Sequence, residues 1–186
     1  MNAAQQLFIE NGVGATTIDQ IAAGARIAKG TFYLYFTSKE DVLAALRERF
    51  VRNYLERIKT AIAKRPESDW RGRLAAWVEA GVAGYIDTQA LHDVVFHEPH
   101  SKPDERPHGQ LSAHHTVQHL AALLQAGASA GAWSVDDPAF TALALFHALH
   151  GTVHDTLAGR QRFNKAQLIR RMENLFFSVV GIERSR

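Results

Sequence analysis

The stretch TTIDQIAAGARIAKGTFYLYFTSKED, Thr16–Asp41, places two short apolar segments on either side of a glycine-containing turn and follows them with a cluster of aromatics. Thr16 or Thr17 can cap a helix whose third position is Asp19 or Gln20, with Ile18, Ile21 and Ala22 as its buried face. After AGARI a further helix runs from about Ala28 to Tyr35. Ser38 and Asp41 then have the spacing of a new capping box. Two short helices joined by a tight turn form a helix-turn-helix, whose second helix enters the major groove of DNA. Such a helix keeps one face buried, here Ile27 and Phe32 with Phe36 closing the end. Lys29, Thr31, Tyr33 and Tyr35 then face outward, and Gly30 lets the helix start approach a backbone closely.

Outward from this stretch the whole chain reads as helices, because apolar residues recur at spacings of three and four and no strand-like alternation stands out. The fold class expected is all-α. A first helix, about Asn2 to Glu10, turns Ala3, Ala4, Leu7 and Phe8 inward and stops at Asn11-Gly12. A long fourth helix carries the stripe Leu43, Leu46, Phe50, Tyr54, Ile58 and Ile62 as far as Pro66. Helical patterns follow at about Asp69–Asp87, Ala90–His97, Gln110–Ala130, Pro138–Ala158 and Lys165–Val180, with one long loop expected at Glu98–Gly109. Two domains result, residues 1–45 and 46–186, joined by the fourth helix.

Composition bounds the function. The 186 residues, 46% of them hydrophobic, can build a sizeable core. No run is long and apolar enough for a membrane helix and no secretory leader is recognisable, so a cytoplasmic protein is expected. Absence of cysteine removes disulfides, thiolate nucleophiles and thiolate zinc sites. The net charge of +2 divides into +4 for residues 1–65 and −2 for the rest, yet residues 1–45 hold three basic against four acidic side chains. Bulk charge is therefore weak support for nucleic-acid binding, and the case rests on position.

The run LFIENGVGATTIDQIAAGARIAKGTFYLYFTSKEDVLAAL resembles the DNA-binding head of TetR-family transcriptional regulators over about Ala3–Leu46. Leu7-Phe8, Gly12, Thr16-Thr17, Ile21-Ala22, KGTFYLYF and Ser38-Lys39-Glu40 carry the likeness. The resemblance implies a three-helix head joined to a larger ligand-binding and dimerisation domain, and a homodimeric repressor released from a palindromic operator by a small organic effector. It implies that Thr17 and Lys39 meet phosphates and that Lys29, Gly30, Thr31, Tyr33 and Tyr35 face the operator, Lys29 and Thr31 being candidates for base edges. In one departure, Met1 stands almost inside the first helix, where family members usually carry several, often basic, residues. Either the chain as numbered is shortened or the arm is absent, and a missing arm would lower DNA affinity.

For the second domain, an apolar effector pocket is expected from Trp77, Tyr85, Phe96, Trp133 and Phe146, with His147 as a polar neighbour, although each aromatic also suits plain core. The last two helices are expected to pair across a two-fold axis through Leu145, Leu149, Val153, Leu168, Met172, Leu175, Phe176 and Val179, with Gly151 permitting close approach; the alternative is that these residues fill the subunit's own core. Ten histidines raise a metal alternative: His115 and His119 lie one turn apart, and His147, His150 and His154 share a helix face. No metal and no cofactor is expected, the histidines serving instead in a pocket or an interface. The rival readings are a helical interaction protein with a degenerate head and a metal-dependent enzyme using these histidines. No serine elbow or phosphate loop supports an enzyme.

Overall fold

A computed structural model describes residues 1–97 and 108–182, with side chains described for 1–96 and 114–182. All regular elements among the described residues are helices: α1 (Asn2–Ala15), α2 (Ile18–Gly24), α3 (Lys29–Tyr33), α4 (Lys39–Ala63), α5 (Trp70–Asp87), α6 (Gln89–His97), α7 (His108–Ser129), α8 (Pro138–Leu157) and α9 (Lys165–Val179). The all-α class holds. Most of the expected loop, residues 98–107, lies outside the described residues.

The chain divides into two compact units. The first is Met1–Arg52 together with the segment from Thr88 that carries α6; the second is Asn53–Asp87 together with the chain from Ala113. The division therefore falls inside α4 at Arg52, later than the expected cut after residue 45, and α6 sits with the head. Packing explains this: α6 lies on α1, buries Val95 in the head core, and its Val95 carbonyl accepts from Arg47 Nε at 2.8 Å.

The head core consists of Ala4, Phe8 and Val13 from α1, Ile21 from α2, Phe32 from α3, Val42, Leu43, Leu46, Phe50 and Val51 from α4, and Val95. Each large side chain there contributes roughly 1.5–3 kcal/mol by leaving water. Gly12, with φ 78° and ψ 159°, breaks the helical path of α1 where Asn11-Gly12 was expected to end it, and the helix resumes for one short turn to Ala15. Gly24 serves a different need, since a Cβ there would meet Ala3 Cβ at 3.3 Å and Leu7 Cδ1 at 3.8 Å. It lets α2 close on α1.

In the second unit α5 packs on α8 and α9, and α8 on α9. Their core joins Leu74, Trp77 and Val78 to Leu120 and Leu124 of α7, Leu149 and Val153 of α8, and Leu168 and Phe176 of α9. Helix starts are capped by side chains: Asp137 accepts from Phe140 N ahead of α8, and Asn164 forms a capping box with Gln167 ahead of α9. Asp87 accepts from Arg57 Nη2 at 2.7 Å and from Lys165 Nζ at 2.9 Å, tying α4, α5 and α9 together at one end. The hydrogen bond from Lys165 holds this carboxyl below the usual carboxylate range, against the opposing effect of burial, with Arg57 adding to it.

Candidate nucleic-acid interface and effector domain

Thr17 caps α2 as its sequence spacing suggests. Its hydroxyl accepts from Gln20 N at 3.2 Å, and Gln20 Oε1 accepts in return from Thr17 N at 2.8 Å. Ser38 Oγ accepts from Asp41 N at 3.1 Å at the start of α4, and the Asp41 carboxylate accepts from Thr37 N at 3.0 Å. The turn between α2 and α3 takes its left-handed residue at Arg26, φ 57°, and not at Gly24.

α3 is five residues long, and only Phe32 on it is buried. Phe32 meets Tyr33 edge-on with ring centroids 5.5 Å apart and lies 5.8 Å from Phe36. The head thus anchors the recognition segment through Phe32, while Tyr33 is 50%, Leu34 80% and Tyr35 75% exposed. Lys29 and Gly30 are exposed and Thr31 half-buried. Ile27, expected to dock inward, is 38% exposed, because the turn at Arg26 swings it away from the core. Sequence reasoning missed Leu34 and Arg26, both exposed on the same segment; an apolar residue between two outward tyrosines was the available signal for Leu34.

Lys29 Nζ pairs with Asp19 at 2.9 Å, bridging α3 and α2. The hydrogen bond and charge of Asp19 raise the Lys29 ammonium above its ordinary value. Lys39, expected to hold a phosphate, has its ammonium on three backbone carbonyls: Val13 at 2.7 Å, Gly14 at 3.0 Å and Thr16 at 2.7 Å.

The effector-pocket candidates separate. Trp77 (0% exposed), Tyr85 (2%), Trp133 (8%) and Phe146 (7%) are buried in the second unit. Phe96 belongs to the first unit, tilted against His92 at 4.9 Å and edge-on to Phe50 at 5.7 Å, because α6 packs on α1. It is therefore removed from the pocket set. His147 is exposed. Trp133 has a structural duty, donating from Nε1 to Leu124 O at 2.8 Å. Trp77 Nε1 is buried with no hydrogen-bond partner among the described residues. Around it, Tyr54 donates to Gly81 O at 3.0 Å, and burial raises the Tyr54 phenol above its usual range. A separate open groove of about 790 Å³ runs past Glu56 and Arg57 of α4, Lys64 and Arg65 just beyond its end, and Glu79 of α5, and none of the pocket candidates lines it.

The dimer candidates also divide. Leu145, Leu149, Val153, Leu168, Met172 and Phe176 are buried in the subunit's own core and are unavailable to a second copy. Both helices are apolar on more than one side, so periodicity alone selected the inner stripe. The outward apolar residues are Leu175 and Val179 on α9, joined on α8 by Phe140 at 67% and Leu143 at 43% exposure. Gly151, also exposed, has open space around its Cα. The metal candidates do not converge: among the described residues no group of three or more His, Asp or Glu is placed to hold an ion. His115 and His147 are exposed, while His150 stacks on Tyr85 at 4.4 Å; His119 and His154 are half-buried.

Residues 1–46 match the family model for bacterial regulatory proteins of the tetR family, and residues 67–154 match that for the tetracyclin repressor-like C-terminal domain. The fatty acid metabolism regulator protein of Bacillus subtilis is 35% identical over 65 residues, covering 35% of this chain and 34% of that protein. The chain spans about a third of the length of the first curated relatives it matches, 34% and 35%. Among solved structures, a tetR-family regulatory protein from Rhodococcus RHA1 is 26% identical with a TM-score of 0.74, covering 98% of this chain and 95% of its own. FadR from Bacillus subtilis, in complex with stearoyl-CoA, superposes with a TM-score of 0.77 at 22% identity over 98% of this chain and 97% of its own. Among the described residues no helix is long and apolar enough to cross a membrane.

Proposed function

Because the chain belongs to the TetR family of transcriptional regulators, we propose that it is a cytoplasmic repressor that grips a palindromic operator as a homodimer and releases it on binding a long-chain acyl effector. The observation that carries the DNA half is the run Tyr33, Leu34, Tyr35, left exposed beside Lys29 on a segment anchored by buried Phe32. Large rings kept in water on a rigid mount suit contact with sugars, phosphates and thymine methyls. Thr17, Lys29, Gly30, Thr31, Tyr33 and Tyr35 form the DNA face, with Leu34 added. Two such faces must sit 34–36 Å apart to reach successive major grooves. The outward residues Phe140, Leu143, Leu175 and Val179 are the surface for the second copy.

The effector half is supported by the family of fatty-acid regulators to which the chain is similar and by the apolar interior of its second unit. Trp77 Nε1, a buried donor without a partner among the described residues, suits an acyl carbonyl. An effector that prefers a conformation with misplaced heads weakens DNA binding, and DNA weakens effector binding by the same factor. The test is operator affinity titrated with stearoyl-CoA and with free CoA. Release by the acyl ester alone is expected; equal affinity with and without it would remove the acyl class, and tighter binding would make the acyl ester a co-repressor and contradict release.

A further inference from the structure

Lys39 stands at the first position of α4, and its ammonium has three protons and three carbonyl partners: Val13, Gly14 and Thr16. These carbonyls belong to the last turn of α1 and the residue after it, where a helix leaves its oxygens without internal partners and carries its negative end. Thr16, fully buried, ties the same turn together by donating to Gly12 O at 2.8 Å. The following residue, Thr17, is the cap that starts α2.

We propose that Lys39 is a positioning residue: it clamps the α1–α2 junction and so sets where α2 begins, and its effect on DNA binding runs through that geometry and not through a phosphate. The proposal rests on the DNA-binding reading. A phosphate ligand needs protons directed at solvent, whereas all three of these are committed within the head. The clamp is also specific to an ammonium, since a planar guanidinium donates in a flat fork and cannot point three protons at three carbonyls converging on one nitrogen.

The experiment compares Lys39→Met, Lys39→Arg and Thr16→Val with the unaltered protein in three readouts: salt dependence of operator binding, amide NMR shifts of the DNA-free protein, and thermal midpoint. Both Lys39 variants are expected to weaken binding by about tenfold or more with the salt slope unchanged. Amides from Thr16 to Ile21 should shift before any DNA is added. Thr16→Val, which keeps the charge, should do the same more mildly, and it carries the test if the Lys39 variants fail to fold. A slope reduced by about 0.9 in Lys39→Met, rescue by Lys39→Arg and an unchanged DNA-free spectrum would overturn the proposal in favour of a phosphate contact. Unchanged affinity in a folded Lys39→Met with a lowered thermal midpoint would overturn it in favour of a merely structural role. Should the unaltered protein show no DNA preference, the regulator reading fails, while the DNA-free amide shifts still decide whether Lys39 sets the α2 start.

Discussion

The tyrosines at and after the end of α3 and the large rings Trp77 and Tyr85 of α5 occupy opposite places in their units. In the head, Tyr33 at the end of a short helix held by Phe32 is 50% exposed and Tyr35 in the turn after it 75%; in the second unit, Trp77 and Tyr85 are 0% and 2% exposed. The difference follows from what each segment can bury. A five-residue helix has room for one inward side chain, so its other rings remain in water. The eighteen residues of α5 are flanked by α8 and α9, and rings at Trp77 and Tyr85 are covered by them. An exposed ring in the first setting calls for a partner outside the chain, whereas the ring of Trp77 in the second is covered by its own chain and leaves only its Nε1 for a ligand.

The contrast can be tested by substitutions within single helices. Leu149→Ala, at a 0% exposed position of α8, is expected to cost about 2–5 kcal/mol in denaturant unfolding. Leu175→Ser with Val179→Ser, on the outward face of α9, should leave subunit folding within about 0.5 kcal/mol per site yet shift sedimentation toward monomer. Equal stability losses in both would erase the distinction between core and interface. In the head, Asp19→Ala releases Lys29 from its ion pair and removes a negative charge beside the recognition segment. Tighter DNA binding and a salt slope steeper by about 0.9 are expected, and an unchanged slope would mean that Lys29 does not reach a phosphate.

The smallest effect concerns pH. Burial lowers the His119 imidazole below its ordinary value of 6.5, with Lys59 adding to the shift. The folded state then keeps this ring neutral while the unfolded chain takes up the proton first, so its contribution is complete above about 6.5 and declines as pH falls. Urea midpoints at about pH 7.5 and 5.5 should differ less in His119→Gln than in the parent; an identical difference would place the acid sensitivity elsewhere.

Local signals account for what the sequence revealed. The cap at Thr17, the break at Gly12 and the stripe of α4 are all set by neighbours within a turn or two, and they were legible; the caps at Asp137 and Asn164 are equally local but were not singled out from the sequence. Three features needed long-range packing. α6 joins the head because Val95 finds a place against its core, and nothing in QALHDVVFH specifies that partner. The inner and outer stripes of α8 and α9 are both apolar, so Leu149 and Leu175 look alike in sequence but stand at 0% and 37% exposure. Lys39 carries the charge a phosphate would want, and only the fold brings three carbonyls to it across 23 to 26 residues of chain.

The decisive comparison is the affinity ratio between DNA from the protein's own upstream region and scrambled DNA of equal length, measured across salt for the unaltered protein and for Tyr33→Ala with Tyr35→Ala. The account predicts a preference of about 10³ or more for the upstream DNA, collapsing in the double variant while its thermal midpoint stays put. A ratio near one for the unaltered protein, or a preference the double variant retains in full, would contradict the assignment of this face to DNA.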